Sequence, residues 1–491
     1  MKHILFTACC LLLAMASRAA NATSMQSNEP CKMMVISDIH LLAPSLYDDG
    51  NAARQLDKND MKMVIQSDYI MHSLVDEIIK AEPKLLLITG DLTFNGERAS
   101  HERLVEHLQR LEQAGVRTLV IPGNHDIMCP YSKQYKGDEP LAVPSVTREE
   151  FAQIYSRFGY GNDSQRDPNS LSYTCEPVPG IVLLAIDSNR YDENQLSAHG
   201  SAAVYHSDGA VKPETLDWIE TQLGKAKIED KRVIAMMHHH LLEHIDGEAR
   251  LLPNYIVANH GDVAQVLSDG GVSVVFTGHL HITDAVTSSG IVDVATGSAS
   301  TYPIAVRTAT LAPSHSSLSI ETRIFDSPDN CVLSQGRAKV ENCAPALAGI
   351  ISRRLWPRIE PRLKQYESLL VDEGVDTSRL PRNASDATAL ITKHLSQPLA
   401  QSMMIVSRGD EDPAQAPAIV EAVKQGVRGM VADVFSEGAD ELADFLLQNF
   451  MPRVEPVLHS ALEDLNQAGT PQQSSTHDHK LVIDLCTTGC Q

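Results

Sequence analysis

The sequence predicts an α/β core with largely parallel strands, followed by a mainly α-helical region. Three observations carry this. Short apolar runs of strand length recur and end in polar residues: Met33 to Ile36, Leu85 to Ile88, Leu119 to Ile121, Ile181 to Ile186, Val233 to Met237 and Val272 to Phe276. Helically spaced stretches lie between several of them, which is the pattern of a parallel sheet covered by helices. After about residue 344 the strand-like runs give way to helical patterns.

In chain order, Met33 to Ile36 ends at Ser37-Asp38-Ile39-His40, and residues 41–66, polar and containing Gly and Pro, read as a loop. Ile70 to Ile79 has Leu74, Val75, Ile78 and Ile79 on one helical face. Leu85 to Ile88 ends at Thr89-Gly90-Asp91, and Arg98 to Ala114 is a helix with Leu104, Leu108 and Leu111 on one side and Gly115 as its stop. Leu119 to Ile121 runs into Gly123-Asn124-His125-Asp126. Residues 127–170, rich in Tyr, Pro, Asp and Ser, are expected to form a lid or substrate wall, as long loops of this kind usually serve function. Ile181 to Ile186 ends at Asp187, and Pro213 to Leu223 is an amphipathic helix with proline in its first turn. Val233 to Met237 runs into His238-His239-His240, and Val272 to Phe276 into Gly278-His279-Leu280-His281. From Ile291 to about Phe325, β-branched and alternating residues predict strands that close the core.

This division places one domain at residues 32–325, a helical domain at 345–470 and a tail at 471–491, where Leu481-Val482-Ile483 is expected to add an edge strand. The helical part contains an echo. Leu355-Trp356-Pro357-Arg358-Ile359-Glu360-Pro361 matches Phe450-Met451-Pro452-Arg453-Val454-Glu455-Pro456, which suggests a duplicated helical hairpin.

The chain has 491 residues, a formal charge of -22 and an apolar fraction of 43%, which together suit a folded protein of two or three domains. Such acidity disfavours wholesale binding to nucleic acid or anionic lipid, although a local cationic site can still attract a small anion. Residues 1–22 read as a signal peptide: Lys2 and His3 precede the apolar run Ile4 to Ala16, and Ala20-Asn21-Ala22 fits a cleavage site after Ala22. The expected location is therefore periplasmic or secreted, with no later run long enough to span a bilayer. A lipid anchor on Cys9 or Cys10 is the weaker reading. Seven cysteines follow the signal, and Cys331 with Cys343 and Cys486 with Cys490 are candidate short-loop disulfides.

The polar residues at the strand ends form a donor set. Divalent cations used in hydrolysis take oxygen and imidazole ligands, and a pair of them needs a bridging carboxylate plus terminal ligands from several strand ends. Asp38, His40, Asp91, Asn124, His238, His279 and His281 supply such a set. Each motif alone is also an ordinary polar turn. Five of them, each closing an apolar run, point to one site in an α/β sheet, where ligands sit at the carboxyl ends of strands.

This ordered set resembles the calcineurin-like metallophosphoesterase family. The likeness rests on Asp38-Ile39-His40, Gly90-Asp91 with Asn95-Gly96, Gly123-Asn124-His125-Asp126, the histidines at 238–240 and Gly278-His279-Leu280-His281, and it spans residues 32–325. It implies a four-layer metallophosphoesterase sandwich, two mixed β-sheets flanked by helices. It also implies roles: Asp38, His40 and His281 around a first metal, Asp91 as the bridge, Asn124, His238 and His279 around a second, and His125 as a catalytic acid beside them. Relatives often have His-His-Pro or His-Ser-Pro at 238–240; aligning His240 with the proline makes His238 the ligand, with His239 as the alternative. Relatives holding ferric iron have a tyrosine where this chain has Phe94, so two divalent ions (Mn, Fe, Zn or Mg) without a phenolate ligand are expected.

The implied activity is hydrolysis of a small phosphoester, with a metal-bridging hydroxide attacking phosphorus and His125 steadying or protonating the leaving oxygen. Two divalent ions against two carboxylates leave a pocket of about +2, which draws in a phosphate. The phrase Gly90-Asp91-Leu92-Thr93-Phe94-Asn95-Gly96-Glu97 also looks like the class III cyclic-nucleotide phosphodiesterase branch, which favours a diester over a monoester. The contrasting class is a catalytically silent metal-bound scaffold that recruits partners through its helices.

Overall fold

The computed structural model describes residues 29–194, 204–325, 330–372, 376–409, 411, 414–435, 438–463 and 479–485. In chain order its principal elements begin with β1 (Cys31–Ile36), α1 (Ser67–Ala81), β2 (Leu85–Ile88), α2 (Arg98–Gln113) and β3 (Arg117–Val120). They continue with β4 (Tyr173–Val178), β5 (Ile181–Ile186), α3 (Pro213–Ile228), β6 (Arg232–Met237), β7 (Val274–Thr277), β8 (Asp284–Ser288), β9 (Ile291–Ala295), β10 (Ala305–Leu311) and β11 (Ser317–Ile324). The helices α4 (Asn330–Glu341), α5 (Ala344–Asp372), α6 (Ala384–Arg408), α7 (Ala416–Val434) and α8 (Ala439–Glu463) follow, then β12 (Lys480–Asp484).

Two mixed sheets stack between helices. The first has the order β12-β11-β10-β1-β2-β3, and the second β8-β9-β7-β6-β5-β4 with the short strand Gln165–Arg166 at its edge. Parallel pairing holds β1, β2 and β3 together in one sheet and β5, β6, β7 and β9 in the other, while the remaining pairs are antiparallel. The parallel centre matches the alternation of runs and helices. The strands expected between Ile291 and Phe325 divide, β9 joining the second sheet and β10 and β11 the first. The edge strand expected at 481–483 is present, with β12 antiparallel to β11 and Ile483 opposite Leu318.

Side-chain alternation along the second sheet makes the layers. Leu183, Ala185, Ile234, Met236, Val274 and Phe276 enter the central core shared with the first sheet, α1 and α2. Their neighbours Leu184, Ile186, Ala235, Met237 and Val275 enter an outer core under α3 and the helix His260–Asp269. Successive residues of a strand face opposite ways, so a run buried on both faces reads as continuously apolar.

Several expectations are corrected. Residues 41–66 are not simply a loop, since Asn51–Asn59 forms a helix. Its mostly polar sequence hides it, and Ala52 and Ala53 are its buried contacts. The 127–170 stretch is not a loop throughout: it contains the helix Arg148–Ile154, with a capping box of Thr147 and Glu150, and Phe151, Tyr155, Phe158 and Tyr160 enter the core. Helices begin at Asn330, before the expected 345. Cys343 is a buried free thiol, so its pairing with Cys331 is not formed. Most of α4 separates the two, and ten helical residues rise about 15 Å, beyond disulfide reach. Cys486 and Cys490, like the expected signal at 1–22, lie outside the described residues. The two copies of the echo fall in α5 and α8, but α5 packs along the helix that follows it and α8 along the one that precedes it, so one hairpin is not repeated.

The helical region docks beside the second sheet. The Thr283 N–H and hydroxyl donate to the carbonyls of Val406 (3.1 Å) and Ser407 (2.9 Å) at the end of α6, and the Ser460 hydroxyl of α8 accepts the Asp246 N–H at 2.9 Å. No helix among the described residues is long and apolar enough to cross a membrane.

Candidate metal centre

The parallel strands β1, β2, β3, β6 and β7 all end at one edge of the stacked sheets, and their exit loops carry the eight residues singled out above. The backbone bends sharply there. Asp38, His40, Asp91, His279 and His281 all have φ between 44° and 72°, the left-handed region that residues other than Gly seldom enter and that is concentrated at functional sites. Close packing explains two motif glycines. A Cβ on Gly123 would stand 2.2 Å from Asp91 Oδ1, and one on Gly278 would stand 2.0 Å from Ser37 Oγ and 2.5 Å from Asp38 Oδ2.

On one side, His281 Nε2 lies 3.2 Å from both His40 Nε2 and Asp38 Oδ1. Asp38 Oδ1 and His40 Nδ1 are buried and, among the described residues, make no hydrogen bond. The other Asp38 oxygen is fully used: it accepts the Ser37 hydroxyl at 2.5 Å and the His279 N–H at 2.9 Å. On the other side, His238 Nδ1 donates to the Thr89 carbonyl at 2.9 Å, which turns Nε2 towards Asn124 Oδ1 (3.1 Å) and Asp91 Oδ2 (3.4 Å). His279 donates Nε2–H to the Asn254 carbonyl at 2.8 Å, leaving Nδ1 for the centre. Asp91 joins the two halves. Its Oδ2 is also 3.5 Å from His40 Nε2, while Oδ1 accepts the His125 N–H at 2.9 Å.

His125 sits at the mouth, partly buried, with Nδ1 against the Phe94 carbonyl (2.8 Å) and Asn95 Oδ1 (2.9 Å). Donation from Nδ1 to that carbonyl leaves the ring's lone pair on Nε2. Phe94 contributes only this backbone oxygen; its ring packs in a satellite apolar cluster. His239 points away, with Nδ1 2.8 Å from Ser188 Oγ and Nε2 3.2 Å from the Ser207 carbonyl. His240 pairs with the buried Glu248 at 2.8 Å. Strand parity carries the signal that separates them: His238 continues the inward face of Ile234 and Met236, and His239 the outward one.

The electrostatics show a site built for added positive charge. Burial works against an imidazolium at His238, yet Asp91 and then Asp38 raise it to about 9. Burial likewise opposes ionisation of Asp91, but His238, His125 and His40 hold it well below the carboxylate range. Burial drives His40 and His279 well below the usual imidazole range, so they present neutral rings. Lone pairs of His238, Asn124 and Asp91 converge on one point, and those of His40, His281 and Asp38 on another. Only a proton or a cation reconciles them. Three sets of donor atoms within 4.8 Å of one another follow: Asp38, His40 and His281; His40, Asp91 and His125; and Asp91, His238 and His279. This chemistry, imidazole and carboxylate with a carboxamide oxygen, fits divalent cations.

The sequence reading missed residues that shape the centre without a donor atom in it. Asp126, also raised to about 7 by burial and by Asp91, binds the loops after β2 and β3 together. Ser37 orients Asp38, and Tyr205 meets Asn124. Asp126 was visible within the Gly-Asn-His-Asp motif; Tyr205 lies far from every motif and offered no signal.

Fold and centre together define a two-sheet α/β sandwich with a His/Asp/Asn cluster suited to metal at the strand ends. A sequence model of calcineurin-like phosphoesterases matches residues 31–283, and the chain belongs to that family. A protein of Arcobacter nitrofigilis named as probable glycerophosphodiester phosphodiesterase GpdQ is 27% identical over 161 residues, 33% of this chain and 43% of that protein. The chain thus spans less than half the length of that curated relative. Among solved structures, a dimetal phosphatase from Danio rerio has a TM-score of 0.41 at 16% identity, covering 60% of this chain and 96% of the other. The purple acid phosphatase PPD1 of yellow lupin (Lupinus luteus) has a TM-score of 0.40 at 13% identity, covering 61% and 53%.

Proposed function

We propose that this chain is a phosphoric ester hydrolase that works with two divalent cations and prefers a diester to a monoester. Asp38, His40 and His281 would hold one cation, Asn124, His238 and His279 the other, and Asp91 would serve both. The observation that carries this is the place of Asp91 Oδ2, 3.5 Å from His40 Nε2 and 3.4 Å from His238 Nε2, between two groups of converging lone pairs. The diester preference draws on the printed name of the Arcobacter relative.

Bound there, divalent cations supply Lewis-acid polarisation of phosphoryl oxygens and acidify water. The chain's own groups do the rest. Buried walls exclude bulk water from Asp38, Asp91 and His238, each at most 2% exposed. His125, with a ring nitrogen within 4.8 Å of donor atoms of His40 and Asp91, would meet the departing oxygen. In the net reaction water replaces an alkoxide at phosphorus: one P–O bond forms, another breaks, and the proton given up by water balances the one the alkoxide takes.

The test is a panel of chromogenic mono- and diesters assayed on metal-stripped protein before and after adding Mn2+, Zn2+, Fe2+ or Mg2+. Metal-dependent cleavage with faster diester turnover is expected. Equal cleavage after thorough chelation would remove the reading. Export is part of the proposal: an N-terminus beginning at Thr23 in the mature protein is expected, and an intact Met1 in the exported fraction would contradict it.

A further inference from the structure

Asn124 has one oxygen and one nitrogen at the end of its side chain, and only the oxygen can bind a cation. What keeps the oxygen inward is not obvious from the centre. His238 Nε2 lies 3.1 Å from Oδ1 and holds that oxygen only while it carries a proton, which it gives up as a metal ligand. The opposite face of the amide carries the answer. Asn124 Nδ2 donates to the Tyr205 hydroxyl at 2.6 Å, and that hydroxyl donates to the Asn124 backbone carbonyl at 3.2 Å. A flipped amide would put Oδ1 against the phenol, which could donate to it only by giving up its hydrogen bond to the Asn124 carbonyl.

Tyr205 is itself held. Its ring meets Tyr131 edge-on at 5.3 Å and His125 at 6.2 Å between centroids. The segment that follows is tied down by the His206 N–H on Asn194 Oδ1 (2.8 Å) and by the ion pair of Asp208 with Arg190. Gly209 bridges to Asn189 and to Val257.

We infer that Tyr205 is a positioning residue that fixes the Asn124 amide with its oxygen towards the His238–Asp91 half of the centre. The inference rests on the metal-centre reading given above. Partners behind a metal ligand commonly change affinity by about 10–100-fold when removed.

The experiment is calorimetric titration of Mn2+ into the metal-stripped full chain. Tyr205→Phe keeps the ring and its packing and deletes only the hydroxyl. The expected result is an affinity about 10–100-fold lower at one of two Mn2+ sites, with the other unchanged and the metal-free chain still unfolding cooperatively. Asn124→Ala should weaken the same site, and adding Tyr205→Phe to it should cost nothing more. Wild-type affinity at both sites in Tyr205→Phe overturns the inference while leaving the metal centre standing, and so does an undiminished loss in the Asn124→Ala background. A wild-type chain that takes up no Mn2+ overturns both.

Discussion

Asp126 Oδ2 accepts the Gly123 N–H at 2.8 Å. The same carboxylate accepts the N–H groups of Leu92 (3.0 Å) and Thr93 (2.8 Å) and the Thr93 hydroxyl (2.8 Å). One fully buried side chain therefore staples the loop that carries Asp91 to the loop that carries Asn124. Asp126→Ala leaves three buried N–H groups without acceptors, each costing about 1–3 kcal/mol. We expect a loss of at least about 3 kcal/mol in urea unfolding and weaker Mn2+ binding, because Asp91 and Asn124 are no longer held in register. A variant melting within about 2 °C of the parent would show that the staple is redundant.

His125 stands outside both terminal ligand sets, so its loss should separate chemistry from metal binding. His125→Ala is expected to retain two equivalents of metal by elemental analysis while kcat falls by about 10²-fold or more. The loss should be smallest for esters with good leaving groups, such as nitrophenolates, which need no proton. Unchanged turnover on a poor leaving group would remove His125 from the reaction.

Much of this centre was legible because strands in parallel sheets announce themselves as unbroken apolar runs, and Met33 to Ile36 and Leu85 to Leu87 are buried on both faces as such runs require. The first one to three residues after each run are then site candidates, and Asp38, Asp91, Asn124, His238 and His279 lie there. What stayed hidden depends on contacts between segments far apart in the chain. Tyr205 reaches Asn124 across 81 positions, and Thr283 meets Ser407 across 124. Neither residue type marks such a contact. The helix Asn51–Asn59 was hidden for a different reason: its apolar face is only Ala52, Ala53 and the partly buried Leu56 in an otherwise polar sequence.

The two neighbouring histidines give a sharp contrast. His238 lies in the convergence of lone pairs with Asp91, while His239 hydrogen-bonds to Ser188 and the Ser207 carbonyl and is driven to about 3 by burial. His238→Ala is expected to lose one equivalent of metal and essentially all activity. His239→Ala is expected to keep both metals and to lower stability by about 1–3 kcal/mol, the cost of a buried polar contact. Metal loss in His239→Ala with retention in His238→Ala would reverse the assignment.

Asp68 clamps α1 to α2 away from the centre. Arg103 Nε and Nη2 donate to its two oxygens at 2.6 and 3.0 Å, and His107 Nε2 lies 2.7 Å from Oδ1. Burial alone would raise this carboxyl, but the hydrogen bonds from His107 and then Arg103 outweigh it and hold Asp68 at about 2. The native state thus binds this proton less readily than the unfolded chain, whose aspartates titrate near 3.9. The clamp is fully present above that value and is lost as the pH falls through about 2. Allowing for solvent screening, it contributes about 1 kcal/mol at neutral pH. Asp68→Asn should therefore lower the urea midpoint at pH 7, and the gap to the parent should narrow progressively as the pH is taken below about 4. A gap of constant size from pH 7 to pH 3 would mean that the carboxylate's charge contributes nothing to the packing of the two helices.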